Sequence, residues 1–501
     1  MKYFSTRNSM YGVTAAEAIA KGLAPDGGLF VPETVPQLDM DEIAALCNMD
    51  YCCRAVYIMS KYLDDFSEDE LKALCASAYG SGFDCDAVAP LRVLNGTTAV
   101  LELWHGPTCA FKDMALQLLP HLLTASLKKC GEERRVCILV ATSGDTGKAA
   151  LEGFADVLET KIQVFYPNDG VSEAQKLQMI TQTGKNVGVT AVVGNFDDAQ
   201  SGVKRIFSDA DFAAKLTERG YFLSSANSIN WGRLLPQIVY YFSAYCDFVK
   251  SGGIALGDTV DFSVPTGNFG NILAGWYARS MGLPVGRLLC ASNANNVLSD
   301  FLASGCYDRN RAFHNTLSPS MDILVSSNLE RLLCNLSGST EETAGYMKQL
   351  SDSGRYTVLP RLKAAIDECF VGGYCSDAET LETIKTVWDK DSYLMDTRTA
   401  VAYKVLCDIR SGEGVERPCI VVSTASPFKF SDSVLKALGN NAEKSGAELI
   451  ERLSEVSGIE VPLPLRGLTE REVRFKDIIP PSGMKTAVDE FLNDMYGISP
   501  V

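Results

Sequence analysis

From residue 135 onward, short apolar runs rich in β-branched residues alternate with glycine-containing loops and helical stretches. This alternation constrains the fold most, because repeated strand–loop–helix units predict a mostly parallel sheet with helices on both faces. In such α/β folds, ligands bind at the carboxyl ends of the strands. The predicted strands are 135–141, 161–167, 189–194, 260–265, 287–292 and 418–425.

The chain of 501 residues is too long for one core, so two or three domains are expected. Residues 1–95 contain helical patterns with Ser or Thr start signals around a Gly- and Pro-rich loop, and we predict that they form an N-terminal domain. Residues 300–400 interrupt the strand–helix rhythm and are interpreted as a helical insertion.

The bulk composition excludes several classes of protein. A net charge of −16 argues against nucleic-acid binding, and an anionic substrate would need cations supplied locally by its site. No apolar run is long enough for a membrane helix, and the first residues lack a secretory pattern, so a cytoplasmic location is expected. With sixteen cysteines but no CxxC pair, and three histidines, no metal site is predicted; the cysteines are interpreted as mostly buried, reduced thiols.

The segment HGPTCAFKD, residues 105–113, frames a single lysine, Lys112, between Phe111 and Asp113. A lysine on a solvated helix face needs no such framing, whereas a nucleophilic lysine held in a pocket does. Taken alone, the segment leaves a surface helix lysine as the more common interpretation.

The loop TSGDTGKAA, residues 142–150, follows a predicted strand and opens a helix. It fails the P-loop pattern, because Thr142 and Ala149 occupy positions that require Gly and Ser or Thr. Its hydroxyls and exposed N–H groups suit a small anion, and an equally good alternative is a simple helix cap by Asp145 or Thr146.

The loop PTGNFGN, residues 265–271, places two glycines three residues apart before a helix. Such a nest of N–H groups suits a phosphate dianion, and the alternative is a tight turn that needs glycine dihedral angles. The absence of GxGxxG makes dinucleotide binding a weak interpretation.

Two more segments carry polar groups at useful places. In VVSTASPFKF, residues 421–430, Ser423 and Thr424 end a strand and can reach a ligand ring or cap the next helix. In SSANSINWGRLLPQ, residues 224–237, Asn227 and Arg233 could bind an anion. The alternative there is a helix start capped by Asn230 with a solvated arginine.

One framed lysine together with two or three anion cradles is what a pyridoxal phosphate enzyme requires. The lysine forms the Schiff base, one cradle holds the cofactor phosphate, and another holds an amino-acid carboxylate.

The whole chain resembles the threonine synthase family. The resemblance rests on long motifs in the family's order: YFSTRN and GLAPDGGLFVPETVP near the start, HGPTCAFKDMALQ, ATSGDTGKAA, GNFDDAQ, SANSINWGRLLPQ, PTGNFGN and TLSPSMDILVSSNLERLL. It implies the longer branch of the family and the fold of tryptophan synthase β, with two open, mostly parallel sheets flanked by helices and a small N-terminal domain. The implied limits are a large cofactor domain of residues 96–128 and 226–501 and a small substrate domain of residues 129–225.

The resemblance also implies an activity: O-phospho-L-homoserine and water give L-threonine and phosphate, with pyridoxal 5'-phosphate bound to Lys112. Lys112 would then act as the general base for the Cα proton. The remaining implied contacts fall into three groups. The cofactor phosphate would be bound by Gly267, Asn268, Phe269, Gly270 and Asn271, its pyridine nitrogen would face Thr424, and its ring oxygen would lie close to Asp145. The substrate carboxylate would be bound by Thr142, Ser143, Thr146 and Gly147, and its phosphate by Asn227, Arg233 and an unassigned lysine.

Three residues depart from the family pattern. Asp145 stands where many relatives of this fold have Asn, and its carboxylate would repel a ring phenolate. Ser426 stands where some members have His, and Asn8 where Gly is commoner. The main alternative activity is that of a phospholyase of the same fold, which would release phosphate and 2-oxobutyrate. A dehydratase, a dehydrogenase and a ligand-binding pseudoenzyme are disfavoured. A monomer or homodimer is expected, without nucleic acid or membrane.

Overall fold

The computed structural model describes residues 1–168, 171–414, 416–440, 446 and 448–493. The strands are β1 Tyr3–Ser5, β2 Asn8–Val13, β3 Phe30–Pro32, β4 Leu91–Asn95, β5 Thr98–Glu102, β6 Arg135–Ala141, β7 Thr160–Pro167, β8 Val187–Val192, β9 Tyr221–Ser224, β10 Val260–Pro265, β11 Val285–Ser292, β12 Cys306–Asp308, β13 Arg355–Thr357, β14 Phe370–Tyr374, β15 Cys419–Ser423 and β16 Ile478–Ile479.

The helices are α1 Ala15–Lys21, α2 Met40–Leu46, α3 Tyr51–Ser60, α4 Glu68–Tyr79, α5 Asp113–Leu116, α6 Leu119–Lys129, α7 Asp145–Phe154, α8 Glu173–Ile180, α9 Phe196–Phe207, α10 Ala210–Glu218, α11 Trp231–Lys250, α12 Gly270–Ser280, α13 Val297–Ser304, α14 Leu329–Ser337, α15 Thr340–Ser353, α16 Pro360–Asp367, α17 Asp377–Asp391, α18 Thr397–Glu413, α19 Ser431–Ala437, α20 Glu448–Ser457 and α21 Met484–Asn493. Short 3₁₀ turns occupy Pro319–Met321, Pro427–Phe430, Leu463–Leu465, Leu468–Glu470 and Pro481–Gly483.

Two mostly parallel sheets form the body of the protein. The larger sheet has the order β14-β11-β10-β15-β5-β4, and only its edge strand β4 is antiparallel to its neighbour. The smaller sheet has the order β16-β8-β7-β6-β9 and is parallel throughout. The predicted α/β fold with two open, mostly parallel sheets is therefore confirmed. An antiparallel sheet, β2-β1-β3, belongs to the N-terminal region.

The structure differs from the sequence interpretation in several strands. The two-stranded sheet β12-β13 lies in the segment interpreted as helical, and β4, from the predicted N-terminal domain, forms an edge of the larger sheet. β14 lies inside the segment 300–400 that was interpreted as helical, yet it forms an edge of the larger sheet beside β11. Its central glycines, Gly372 and Gly373, have low strand propensity and hid it from pattern reasoning. β16, from the segment assigned to the large domain, pairs with β8 of the smaller sheet. The domain limits themselves stay a prediction.

Helix α11 connects the N-terminal region to the core. Nearly all of its side chains are buried, so the helix is apolar on every side rather than along one stripe. Its first residue, Trp231, packs against Tyr3, Tyr62 and Tyr277 with ring centroids 5.4 to 5.5 Å apart. These edge-on and tilted contacts fix the start of α11 and the loop that precedes it.

None of the helices in the described ranges combines the length and apolarity that a membrane crossing requires.

We predict opposite effects for two helical glycines. A Cβ at Gly153, in α7, would collide with the carbonyl oxygen of Leu116, whereas a Cβ at Gly345, in α15, meets no atom within 4 Å. Gly153→Ala should lower the free energy of unfolding by ~1–3 kcal/mol through overpacking. Gly345→Ala should raise it by up to ~1 kcal/mol through helix propensity. Urea unfolding of both variants measures the difference, and equal effects would contradict the packing described here.

Candidate active site

The loop that carries Lys112 is fastened to the carboxyl end of β15. The Phe111 N–H donates to the carbonyl of Thr424 at 2.9 Å, and the Ser426 N–H donates to the carbonyl of Cys109 at 3.1 Å. Ala110 and Ala425 form an isolated antiparallel bridge between the same segments. Lys112 therefore stands at the strand edge where ligands bind in α/β folds.

Asp113 explains why an acid follows the lysine. Its carboxylate accepts the Thr108 N–H and the Thr108 hydroxyl, both at 2.8 Å, and so closes the Gly106–Thr108 turn. A Cβ at Gly106 would lie 2.6 Å from the Asp113 side chain, so glycine is required there. Burial raises the pKa of Asp113 to about 6, although the Thr108 hydrogen bonds oppose this. The acid holds the loop and leaves the lysine amine alone.

Lys112 is partly exposed, and its Nζ makes no hydrogen bond or ion pair within the described part of the chain. The amine lies 5.4 Å from the centroid of the Phe111 ring. Desolvation lowers the pKa of Lys112 to about 7; Asp145 opposes the shift, and the cations Arg398 and Arg233 add to it. A substantial fraction of the amine is therefore neutral near pH 7 and able to act as nucleophile or base.

Asp145 lies in a buried network of charges. Its carboxylate accepts Lys429 Nζ at 2.7 Å, Arg398 Nη1 at 2.9 Å and Gln175 Nε2 at 2.9 Å. Burial alone would raise the pKa of this carboxyl, but Lys429 and Arg398 hold it well below its usual range. Asp145 is thus a fixed anion that neutralises two buried cations. A carboxylate is accommodated at this position because Lys429 and Arg398 balance its charge.

The loop before α7 is shaped by Thr142. The Thr142 hydroxyl accepts the N–H groups of Gly144 at 3.0 Å and Gly147 at 2.9 Å. Gly144 occupies the cap position of α7 with φ of 134°, and no side chain caps the helix. The cap that Asp145 or Thr146 could have formed is therefore absent. The first turn of α7 keeps N–H donors beside the partly exposed Ser143 and Thr146.

The loop 267–271 forms a nest of donors at the start of α12. Phe269 adopts a left-handed conformation with φ of 62° at the cap position, again without a side-chain cap. The Asn271 Oδ1 accepts the hydroxyls of Tyr240 at 2.7 Å and Tyr241 at 2.9 Å, while its buried Nδ2 has no partner among the described residues. An amide held on one side and open on the other fits a ligand anion at the helix start.

The remaining loop residues are held by the segment that follows residue 316. The Asn268 carbonyl accepts the Asn328 N–H at 3.1 Å, and the Gly267 carbonyl accepts the Ser326 hydroxyl at 2.7 Å. A Cβ at Gly267 would lie 3.2 Å from the Ser320 carbonyl oxygen, and one at Gly270 would lie 3.4 Å from Asn328. A side chain at Gly267 would therefore press on the neighbouring backbone, whereas a Cβ at Gly270 would make an ordinary van der Waals contact.

At the end of β15, Ser423 and Thr424 have different partners. Ser423 Oγ accepts Trp104 Nε1 at 3.0 Å and the Thr399 hydroxyl at 2.9 Å, so it is used within the protein. Thr424 Oγ1 is buried and has no partner in the described ranges. The 3₁₀ turn that follows is capped by Ser426. The helix-cap alternative for Ser423 and Thr424 is therefore wrong.

Arg233 is buried in the first turn of α11, so the expectation of a solvated arginine is wrong. Its Nη1 donates to the Ala226 carbonyl at 2.7 Å, and no carboxylate pairs with it in the described part of the chain. Desolvation lowers the pKa of Arg233 to about 10, and it remains cationic at neutral pH. Asn230 caps α11 as the alternative proposed, and Asn227 lies partly exposed in the same loop. A buried, unpaired cation indicates an anionic ligand.

Pyridoxal phosphate fits this set of groups. Among the groups described above, three buried polar atoms lack a partner in the described ranges: Thr424 Oγ1, Asn271 Nδ2 and Arg398 Nη2. An amine with a lowered pKa and a nest of N–H donors complete the requirements for an aldehyde and a phosphate. The described residues contain no group of His, Cys, Asp and Glu that could hold a metal ion.

Sequence reasoning missed Lys429 and Arg398. Both are almost fully buried, and both pair with Asp145, which lies more than 250 positions earlier in the chain. The available signal was a cation within an otherwise apolar or hydroxyl-rich context, as in SPFKF and DTRTAV. Such residues are rarely buried unless they are paired.

The pKa of Lys112 generates a prediction for the cofactor-free protein. Because only the neutral amine reacts with acetic anhydride, acetylation of Lys112 should reach half its maximal rate near pH 7. The exposed Lys72, whose pKa is raised by its hydrogen bond to Glu68, should react only at much higher pH. Pulse labelling and peptide mass spectrometry measure both profiles. Coinciding profiles would show that Lys112 lacks this environment.

Comparison with known proteins gives a consistent result. Residues 2–79 match the model "Threonine synthase N terminus", residues 98–425 match "Pyridoxal-phosphate dependent enzyme", and residues 399–488 match "Threonine synthase, C-terminal". Human threonine synthase-like 1 is 43% identical over 84% of this chain, which spans 58% of that protein's length. Threonine synthase from Pseudomonas aeruginosa is 42% identical over 87% of this chain and 90% of its own.

A solved structure extends the likeness to the whole fold. The threonine synthase from Brucella melitensis, described as bound to PLP, has a TM-score of 0.88 and 37% sequence identity, with 99% of this chain and 100% of that one covered. The predicted resemblance, the tryptophan synthase β-like fold and the dependence on pyridoxal phosphate are thereby confirmed. Sequence, fold and site agree that this chain belongs to the threonine synthase family of pyridoxal phosphate-dependent enzymes.

Proposed function

We propose that this protein converts O-phospho-L-homoserine and water to L-threonine and phosphate. One observation carries the proposal: Arg233, a buried cation without a carboxylate partner among the described residues, lies on α11, which packs against α5 directly after Lys112. An attachment point for the cofactor beside a separate anion site suits an amino acid that carries its own phosphate. A serine or threonine dehydratase has no use for that second site.

Lys112 is the residue proposed to attach the cofactor and to move protons. Pyridoxal phosphate, when bound, supplies an electron sink for negative charge at the substrate Cα. The free Lys112 amine would take the Cα proton of the substrate, since its pKa of about 7 suits a base near neutral pH. Hydrogen bonds hold the Lys112 loop to the end of β15, which would keep the amine in one place for cofactor attachment and for proton transfer.

The proposed cofactor contacts follow the open donors. The loop Gly267–Asn271 would bind the phosphate through backbone N–H groups and Asn271 Nδ2. Thr424 Oγ1 would face the pyridine nitrogen; a hydroxyl there does not enforce ring protonation as a carboxylate would. Phe269 contributes its left-handed backbone and a buried ring.

The substrate contacts divide between two loops. Thr142, Ser143, Thr146 and Gly147 would orient the carboxylate together with the N–H groups at the start of α7. The Thr142 hydroxyl also shapes this loop, because it accepts the N–H groups of Gly144 and Gly147. Arg233 and Asn227 would bind the phosphate group that leaves. The hydrogen bond from Arg233 Nη1 to the Ala226 carbonyl limits the orientations of the guanidinium and leaves its other donors for an anion.

The second candidate is a phospholyase that releases 2-oxobutyrate. The identity to threonine synthase-like 1 favours keeping it, since the two activities need the same groups. They differ only in whether water adds at Cβ. Cytoplasmic localisation and a monomeric or homodimeric state also stay predictions.

Product analysis tests the function. In water enriched in oxygen-18, the purified protein should convert O-phospho-L-homoserine to threonine labelled at its hydroxyl, with one phosphate per threonine. Lys112→Ala should give neither product and should lose the visible absorbance of the bound cofactor. Release of 2-oxobutyrate with phosphate would make the protein a phospholyase, and turnover by Lys112→Ala would refute the assignment of Lys112.

Arg233→Ala tests the division between the two phosphate sites. Loss of a charged hydrogen-bond donor should lower kcat/KM for O-phospho-L-homoserine by about 10- to 100-fold, mainly through KM, with the cofactor still bound. The control is Arg54→Met, which alters a buried arginine paired with Asp247 and far along the chain from both loops. Loss of cofactor from Arg233→Ala alone would show that the sites are wrongly divided.

A further inference from the structure

Arg398 has a buried donor that the protein itself does not use. The residue lies in the first turn of α18 and is 2% exposed. Its Nε donates to Asp396 at 3.1 Å, and its Nη1 donates to Asp145 at 2.9 Å and to Ser320 at 2.7 Å. Its Nη2 is buried without a partner among the described residues. Leaving a guanidinium donor unsatisfied is costly, so this atom is open to a ligand. The Nε atoms of Arg287 and Arg410 are also buried without partners among the described residues, so the place of Arg398 beside Asp145 and the lysine loop has to carry the argument as well.

The guanidinium is held in one orientation. Asp396 and Asp145 bind it from two sides, and its central carbon lies 4.9 Å from the centroid of the Phe430 ring. Rotation that would give Nη2 a protein partner would break at least one of these contacts. The free donor is therefore directed by the fold.

The neighbouring groups are poor candidates for binding an anion. Asp145 is itself negative, and three donors already occupy its carboxylate. Lys429 Nζ is used by Asp145 and by the Thr108 carbonyl at 2.9 Å. Arg398 is the member of this cluster that combines positive charge with an open donor.

The position of the Asp145–Arg398–Lys429 cluster relative to Lys112 indicates which anionic atom of the cofactor would lie near it. Lys429 Nζ contacts both the Thr108 carbonyl of the lysine loop and the Asp145 carboxylate, which also accepts Arg398 Nη1, so the cluster lies against the loop that carries Lys112. In pyridoxal phosphate, the ring oxygen is on the carbon next to the one that bears the aldehyde. Once the aldehyde has reacted with Lys112, the ring oxygen must therefore lie beside this amine.

We propose that Arg398, through Nη2, binds the anionic ring oxygen of pyridoxal phosphate, and that Asp145 serves to hold Arg398 instead of touching that oxygen. This inference rests on the proposed function, because it assumes that the cofactor is attached to Lys112. It assigns Arg398 to the cofactor-binding residues and gives Asp145 a positioning role.

The test compares two cofactors at equilibrium. The cofactor-free forms of the wild type, Arg398→Gln and Arg410→Met are titrated with pyridoxal phosphate and with 3-deoxypyridoxal phosphate, which lacks the ring oxygen, and dissociation constants are read from quenching of protein fluorescence. Arg410 lies on the same helix and contacts Thr98 and backbone carbonyls, which makes it the matched control.

Arg398→Gln should weaken binding of pyridoxal phosphate by about 10- to 100-fold, the effect of one charged hydrogen bond, and should leave binding of the deoxy compound close to that of the wild type. Arg410→Met should change neither. Equal weakening of both cofactors, or no weakening, would overturn the proposal. If the wild type bound neither cofactor, the proposed function itself would fail and this inference with it.

A second variant keeps the test decisive if Arg398→Gln folds poorly. Arg398→Gln leaves Asp145 and Asp396 with one fewer cation, which costs stability. In Asp145→Asn/Arg398→Gln both members of the ion pair are neutral, and the same comparison is made on this protein. If this variant loses affinity for pyridoxal phosphate but not for the deoxy compound, the proposal is supported. If the affinities for both cofactors change by the same factor relative to the wild type, the proposal is contradicted.

Discussion

The buried charge network around Asp145 is the constraint on which the site depends. Asp145 begins α7, directly after the smaller sheet's β6, whereas Lys429 and Arg398 flank β15 of the larger sheet. The network therefore ties the two sheets together where their strand ends meet. Removing either partner of a buried ion pair leaves an uncompensated charge, so these residues depend on one another.

The same network sets the electrostatics of the site. Two buried acids, Asp145 and Asp396, offset the two cations Lys429 and Arg398, while Arg233 pairs with no acid in the part of the chain that the structure describes. In a chain with a net charge of −16, this local surplus of positive charge attracts anions to one place. It also disfavours a proton on Lys112, which reinforces the effect of burial.

Sequence reasoning predicted the strands with regular apolar patterns and the loops at their ends. It indicated Lys112, the loop 267–271 and Thr424 as candidate site residues, because glycine, hydroxyl and lysine signals after a strand are local. It did not find β14, since glycines weaken its pattern, or the partners of Asp145, which are distant in the chain. It also did not predict that the Thr142 hydroxyl accepts N–H groups of its own loop.

The sequence by itself determined the α/β class and the family, and it indicated Lys112 as the candidate attachment point of the cofactor. Each of these depends on local patterns of a few adjacent residues. The tertiary structure alone decided which charges neutralise Asp145, that Arg233 is buried, and that Arg398 has an open donor. The physical reason is that the burial and pairing of a charge depend on neighbours brought together by the packing of the two sheets. The hydrophobic periodicity of the sequence does not show which distant residues become those neighbours.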